Sequence, residues 1–143
     1  MSTTLTLPAD AFTRILMVNG RPVETDSEGY LRHLGDWSED FVRALAAQEE
    51  LPLTEEHWEL VRYLRAYYAE HGVQAQVRAM IKHFTEVWGP ERGSNHHLHD
   101  LFPVGGPQKQ GNRLAGLLRL LATLVIVAAC VWLWRRWRQD QDD

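Results

Sequence analysis

The stretch EEHWELVRYLRAYYAEHG, residues 55–72, decides the fold of this 143-residue chain. Its apolar residues recur at intervals of three and four, which is the spacing of one face of an α-helix. Thr54 stands at the N-cap position, and Gly72 stands where a residue in the left-handed conformation ends a helix. The stretch therefore predicts a helix whose buried face is made by Trp58, Val61, Leu64 and Tyr68, flanked by Leu60 and Tyr67.

Further helices are predicted on both sides of this one. An apolar stripe precedes it, with Asp36 or Ser38 as the N-cap and the Leu51-Pro52-Leu53 segment as the break. Residues 75–88 carry a third helical pattern, which Gly89-Pro90 ends. Residues 97–101 could form a short helix, and the glycines and prolines of residues 102–107 predict a rigid bend followed by a loop. The stripe before residue 51 consists of Trp37, Phe41, Val42 and Leu45.

The N-terminal part carries a hairpin pattern, ILMV-NG-RPVET, residues 15–25. Asn19-Gly20 between two such runs predicts a type I′ turn, because that turn needs positive φ at both central residues. The fold class is therefore α+β and mostly helical, with an N-terminal β-hairpin followed by a small helical bundle.

The C-terminal part contains the apolar run LAGLLRLLATLVIVAACVWLW, residues 114–134, with Arg119 as its one charge. A helix of this length spans about 31 Å, close to the thickness of a bilayer's hydrocarbon core. Trp132, Trp134 and Trp137 cluster at its far end, as interfacial aromatic residues do. We predict a transmembrane helix over residues 114–136 in contact with lipid; the alternative is a long helix packed on the body.

These patterns divide the chain into four parts. They are an N-terminal extension (1–14), a folded domain (15–113), the transmembrane helix (114–136) and a polar tail (137–143). The N-terminus lacks the features of a signal peptide. The expected location is the inner, cytoplasmic membrane, with a single pass, the domain in the cytosol and a short tail outside.

Composition restricts the function. Residues 1–113 hold 11 Lys/Arg against 16 Asp/Glu, a net charge of −5, so no direct contact with nucleic acid is expected. Cys130 is the single cysteine, so an intrachain disulfide is impossible. Inside an apolar helix a thiolate is strongly disfavoured, which favours a packing role for Cys130.

The polar motifs do not add a metal or cofactor. His96, His97 and His99 with Asp100 could ligate zinc, but no cysteine or HExxH motif supports such a site. His57 lies at the edge of an amphipathic helix, where a surface or half-buried structural role is favoured. Residues 105–110 contain glycines and a lysine but not the GxxxxGK[ST] pattern of a phosphate loop. No cofactor and no metal are therefore predicted.

The order of motifs resembles a known family. The segments DSEGYL (26–31), Asp36-Trp37, HWELVRYLRAYY (57–68), and LFPVGGPQKQGNRLAGL (101–117), together with Arg78, are similar to the DsrC/TusE family of sulfur-relay proteins. This family is also called the sulfite reductase gamma-subunit family. The resemblance implies a small helical domain with a hairpin and a C-terminal arm whose cysteine carries persulfide sulfur. Its partners would be a sulfite reductase or the sulfur relay for tRNA thiolation.

The chain departs from the family pattern at the sulfur-bearing positions. The DsrC-type cysteine that follows KQ-x corresponds to Asn112, and the near-terminal cysteine shared by both types corresponds to Thr123. Asn and Thr cannot hold a persulfide, and Cys130 lies seven residues beyond the second position.

Two functions follow from the resemblance and its departures. The main hypothesis is a membrane-anchored, non-catalytic or regulatory member that binds a sulfur-trafficking partner, with no confident catalytic residue. Its predicted partner-binding residues are Arg78, Lys109, Gln110 and Arg113. The alternative is an active TusE-type sulfurtransferase, a sulfur carrier for tRNA 2-thiouridine synthesis that uses Cys130.

Overall fold

The N-terminal hairpin forms around the predicted Asn-Gly turn. In the structure, a computed structural model that describes residues 13–117, 132 and 134–136, strands β1 (Thr13–Val18) and β2 (Arg21–Asp26) pair antiparallel. Asn19 and Gly20 have φ of 50° and 76°, both positive as a type I′ turn requires. The hairpin prediction is therefore confirmed.

Between the hairpin and Leu117 the chain forms one 3₁₀ turn, at Leu34–Asp36, and then five helices. They confirm the prediction of a small helical bundle in a mostly helical α+β fold. The segment after Pro103, for which a loop was predicted, instead forms the last of them. The helices are α1 (Glu39–Gln48), α2 (Glu55–His71), α3 (Val77–Trp88), α4 (Asn95–Leu101) and α5 (Gly106–Leu114).

Local side chains fix where the helices begin and end. Ser38, one of the two candidate N-caps of α1, accepts a hydrogen bond from the Phe41 amide at 3.0 Å. At the start of α2 the Thr54 amide donates to His57 Nδ1 at 3.0 Å. The helix ends at Gly72, whose φ of 70° is the left-handed C-cap expected from the sequence.

His57 has the structural role that the sequence predicts, but its ring is buried rather than half-exposed. The residue is 4% exposed, and its Nε2 lies 2.6 Å from the carbonyl oxygen of Leu101. Since Nδ1 accepts from the Thr54 amide, Nε2 must carry the proton and donate to Leu101. One neutral imidazole therefore joins the start of α2 to the end of α4.

The core is built around α5. All residues from Gln110 to Leu117 are buried, including the apolar Leu114, Ala115 and Leu117. Gly111 permits the close approach of α5 to α2, because a Cβ at this position would lie 2.9 Å from Leu64 Cδ1. The remaining fully buried large side chains come from all the other helices and the α4–α5 turn: Phe41, Val42, Leu45, Leu60, Val61, Leu64, Met80, Phe84, Leu98 and Phe102.

The predicted membrane span is wrong at its start, over residues 114–117. Leu114, Ala115 and Leu117, the first apolar residues of the predicted span, pack in the protein core instead of facing lipid. Gly116, with φ of 70°, ends the helix at the point where the prediction continues it. Residues 118–131 and 133, on which most of the predicted span falls, lie outside the described part of the chain.

A search of the described residues finds no helix with the length and apolar character needed to cross a bilayer. This finding contradicts the predicted single-pass inner-membrane location, and it gives no support to the predicted contact of residues 114–136 with lipid. The physical reason is visible at the first turn of the run. Leu114 and Leu117 are removed from water by burial in the core of the domain, so these two leucines are not available to lipid.

Helix α4 is held on α2 by an ionic cluster around Glu56. The Glu56 carboxylate contacts His97 Nε2 at 2.6 Å and Arg92 Nε at 3.1 Å, and its side chain is 21% exposed. Burial raises the pKa of Glu56, but the hydrogen bonds from His97 and Arg92 and the charge of Arg92 outweigh it and hold the pKa below its usual value.

The Glu56 cluster predicts acid sensitivity. Since the pKa of Glu56 is lower in the folded than in the unfolded chain, its contribution is complete above the ordinary glutamate pKa and is lost as the pH falls through the folded value. We expect Glu56→Gln to lower the free energy of unfolding at neutral pH by about 1 kcal/mol and to flatten its decrease in acid. Urea denaturation at a series of pH values measures both. Glu86→Gln, on the exposed side of α3, is the control, and an unchanged pH profile in Glu56→Gln would contradict the assignment.

Candidate functional site

The candidate functional site is the segment from Leu101 to Leu117, from which the chain continues towards Cys130. It begins with the turn between α4 and α5, where Gly105 and Gly106 have φ of 99° and 82°. Pro107 follows at the start of α5, a position where the missing amide hydrogen costs nothing. The glycines thus permit the reversal that carries the chain from α4 into the buried helix.

A buried polar network, the Glu49 network, holds this turn. Glu49 accepts from Arg113 Nε at 3.0 Å through one carboxylate oxygen and from Gln110 Nε2 at 2.9 Å through the other. Val104 completes it, since its amide donates to Gln110 Oε1 at 3.0 Å and its carbonyl accepts from Arg113 Nη2 at 2.9 Å. The Arg113 and Glu49 side chains are 9% and 14% exposed. The network therefore ties the end of α1, the α4–α5 turn and the middle of α5 together.

The C-terminal end of α5 is capped by a second group, the exit cluster, which consists of Trp37, Arg65, Ala115 and Gly116. The amides of Gly116 and Leu117 donate to Arg113 and Asn112 carbonyls at 3.1 Å each, the pattern of a Schellman motif. These bonds reverse the chain at the helix end and leave further carbonyls at that end to be satisfied by side chains.

Trp37 and Arg65 satisfy those carbonyls. The Trp37 indole donates to the Leu114 carbonyl at 2.9 Å, and Arg65 Nη1 donates to the Ala115 carbonyl at 2.8 Å. The Arg65 guanidinium also stacks on Trp37, 3.7 Å from the ring centroid. Burial without a neighbouring carboxylate lowers the pKa of Arg65 below its usual value. The chain thus leaves the domain through a contact of fixed geometry.

The four predicted partner-binding residues fall into two pairs. Arg78 on α3 and Lys109 on α5 are exposed and available to a partner. Gln110 and Arg113 are 0% and 7% exposed, and their polar atoms are used inside the Glu49 network. Partner binding by the exposed pair remains a prediction, whereas the buried pair holds the α4–α5 turn.

Of the two sulfur-bearing positions of the family pattern, the structure describes only the first, Asn112. Asn112 is 2% exposed, and its Nδ2 donates to Gln74 Oε1 at 3.2 Å. Its Oδ1 has no partner among the described residues. Thr123 and Cys130 lie outside the described residues, so the predicted packing role of Cys130 stays a prediction.

The candidate metal-binding histidines face different partners. His96 lies 3.3 Å from Asp100, whereas His97 contacts Glu56. His99 Nδ1 lies 2.8 Å from the Asn95 carbonyl. His96 and His99 are thus engaged in local contacts of α4, whereas His97 joins α4 to α2, so the three side chains do not converge on one point.

Sequence reasoning missed Glu49, Trp37 and Arg65 as residues of the site. Their contacts with α5 span 64, 77 and 50 positions of sequence, so no local spacing reveals them. The sequence does contain an indication of helix α5, because Pro107 at the first turn and apolar Leu114 fit a short helix.

The fold and this segment define a class of protein. It is a small helical domain that begins with a β-hairpin and whose C-terminal chain continues from a buried helix. The family model described as "DsrC like protein" matches residues 17–120. The chain therefore belongs to the DsrC/TusE family, whose members work with sulfur-relay or sulfite reductase partners.

Similar proteins support this assignment. The sulfurtransferase TusE of Photorhabdus laumondii is 41% identical over 103 residues, covering 72% of this chain and 92% of the relative. The NMR structure of Allochromatium vinosum DsrC is 38% identical, with a TM-score of 0.68 over 77% of this chain and 97% of that one. The oxidised gamma-subunit of dissimilatory sulfite reductase from Archaeoglobus fulgidus is 34% identical, with a TM-score of 0.70 over 76% and 98% of the two chains.

The Glu49 network predicts a large effect of one carboxylate. We expect Glu49→Gln to lower the free energy of unfolding by about 2–3 kcal/mol, because it leaves the Arg113 charge buried and unpaired. Urea denaturation measures the change. Glu50→Gln removes the neighbouring but exposed carboxylate and should change stability by less than about 0.5 kcal/mol. Equal effects of the two substitutions would show that the network does not hold the turn.

The exit cluster predicts a difference between two glycines of equal backbone conformation. Gly116 and Gly72 both have φ of 70°, so alanine costs about 1 kcal/mol at either position. A Cβ at Gly116 would also lie 2.3 Å from Trp37 Cδ1, whereas nothing lies within 4 Å at Gly72. We expect Gly116→Ala to cost about 2 kcal/mol more than Gly72→Ala in thermal or urea unfolding. Equal costs would mean that Trp37 does not pack closely on the chain exit.

Proposed function

We propose that this protein is a TusE-type sulfur carrier that receives sulfur as a persulfide on Cys130 and passes it to a protein partner. The observation that carries the proposal is the similarity to proteins named sulfurtransferase TusE, 41% to 44% identical over 90% or more of their length. Asn112 agrees with this type, since the resemblance places a cysteine there in DsrC-type members.

The chemistry requires a thiol, and Cys130 is the single cysteine of the chain. Its thiolate would attack the outer sulfur of a donor persulfide. The new S–S bond forms as the donor's S–S bond breaks, and the donor leaves as a thiolate. The sulfur oxidation states balance without an external oxidant. The reverse step on an acceptor thiolate delivers the sulfur and regenerates Cys130.

The folded domain supports this function by fixing where the chain emerges. Cys130 follows Leu117 by 13 residues, and Leu117 is held at the exit cluster. A chain of that length reaches at most about 43–47 Å when extended. The domain would therefore dock on the donor or acceptor while Cys130 reaches the sulfur.

A second candidate function is a non-catalytic member that binds a sulfur-trafficking partner without carrying sulfur. The absence of cysteine at Asn112 and Thr123, the two family positions, favours it. Exposed Arg78 and Lys109 would then supply the partner contact, and Gln110 and Arg113 would hold the α4–α5 turn in the recognised shape.

One experiment separates the two functions. We expect the purified full chain, incubated with a small-molecule persulfide donor, to gain the mass of one sulfur atom on Cys130. The modification should disappear in Cys130→Ser and persist in Arg78→Glu and Lys109→Glu. Intact-mass spectrometry with peptide mapping measures it. An unmodified Cys130 would reject the sulfur-carrier function; capture of a partner that Arg78→Glu and Lys109→Glu abolish would then support the second candidate.

A further inference from the structure

Arg65 carries more hydrogen-bonding capacity than the exit cluster uses. A guanidinium has five N–H donors, and the structure commits one of them, on Nη1, to the Ala115 carbonyl. No carboxylate among the described residues lies within ion-pair distance of Arg65, in contrast to Arg62, one turn before it on α2, which lies 3.2 Å from Glu55. The side chain is half-buried, so its charge is neither paired with an anion nor fully hydrated.

The Arg65 residue also borders a small pocket. The pocket has a volume of about 140 Å³ and is lined by Leu34, Arg65, Tyr68, Ala69 and Leu117. Its walls are apolar apart from the Arg65 and Tyr68 side chains, so Arg65 supplies the only charged group among the described residues of the lining. The stacking of Arg65 on Trp37 fixes the guanidinium plane at this position. A planar, oriented cation with free donors is the arrangement that favours a small anion.

The place of the pocket indicates which anion it takes. Leu117 is the residue through which the chain continues towards Cys130, and it forms one wall of the pocket. A persulfide is more acidic than its parent thiol and is anionic at neutral pH, and its polarisable sulfur tolerates apolar walls. A free sulfur anion such as thiosulfate presents the same chemistry, a terminal sulfur with negative charge.

We propose that the pocket beside Arg65 binds an anionic sulfur group, which Arg65 holds through its free N–H donors at the point where the chain leaves the domain. The group is the persulfide of Cys130 or a free sulfur anion of the same kind. The first source rests on the proposed sulfur-carrier function, whereas the second does not depend on it. Arg65 is here a binding residue and takes no part in breaking the S–S bond.

The first test is direct binding of thiosulfate to the full chain at constant ionic strength. We expect saturable chemical-shift changes at the Trp37 indole and Arg65 Nε–H signals in NMR spectra. Arg65→Gln should weaken the binding by about tenfold or more, since a hydrogen bond to a charged group is lost. Arg65→Lys should retain part of it, and Arg62→Gln, the matched control on the same helix, should retain all of it.

The same variants control for loss of folding. Urea denaturation of Arg65→Gln and Arg65→Lys shows whether each variant is folded under the titration conditions. If Arg65→Gln is not folded, the comparison is made with Arg65→Lys. Absence of saturable shifts in the unmodified chain overturns the proposal. Equal binding by the folded Arg65→Gln variant and the unmodified chain also overturns it.

The second test distinguishes the source of the anion. If Cys130 accepts sulfur, we expect its persulfide to be removed by glutathione at least about fivefold faster in Arg65→Gln than in Arg62→Gln. Thiosulfate binding with no effect on persulfide lifetime assigns the pocket to a free anion. Failure of Cys130 to accept sulfur rejects the sulfur-carrier function alone, because the thiosulfate titration still decides the pocket.

Discussion

The fold depends on the burial of α5 between α1 and α2. A short helix that carries Gln110, Asn112 and Arg113 can be buried only if its polar groups find partners, because an unpaired charge in the core would cost several kcal/mol. Glu49 supplies the main partner, with one oxygen for Arg113 and the other for Gln110. Gly111 supplies the space, since a side chain there would overlap Leu64. Electrostatic pairing and close packing therefore act on the same nine-residue helix.

The burial of α5 distinguishes the chain up to Leu117, which is held in the domain, from the residues that follow it. Up to Leu117 the chain is held by helix capping, by the Trp37 and Arg65 hydrogen bonds and by the packing of Leu114 and Leu117. The residues after Leu117 include the single cysteine. The proposed sulfur-carrier function would use both parts, because a partner would recognise the constant surface while Cys130 receives and delivers the sulfur. The exit cluster is the physical boundary between these requirements.

The structure assigns different surroundings to the residues that the family resemblance had singled out. Gln110 and Arg113 are internal supports of the α4–α5 turn. Arg78 and Lys109 remain open to solvent and fit direct contact. Asn112 lies inside the helix, where its amide bonds Gln74. The position of these residues in the motif therefore did not indicate which of them are exposed and which are internal, whereas their burial did.

The sequence by itself determined the hairpin, helices α1 to α3 and the family. These depend on local rules: the Asn19-Gly20 turn, N-caps at Ser38 and Thr54, and apolar residues at helical spacing. It also indicated the candidate segment, residues 101–117, through its motif. It did not determine that this segment forms a buried helix, because glycine and proline at its start have low helix propensity and tertiary burial outweighs that preference.

Only the tertiary structure decided what surrounds that segment. Glu49, Trp37 and Arg65 meet α5 across 50 to 77 positions of sequence, and local patterns carry no information about such contacts. The same reason explains the failure of the membrane prediction at its first turn. An apolar run reports that leucines avoid water, but both a bilayer and a protein core remove them from water. The packing of Leu114 and Leu117 against the bundle shows which of the two these residues use.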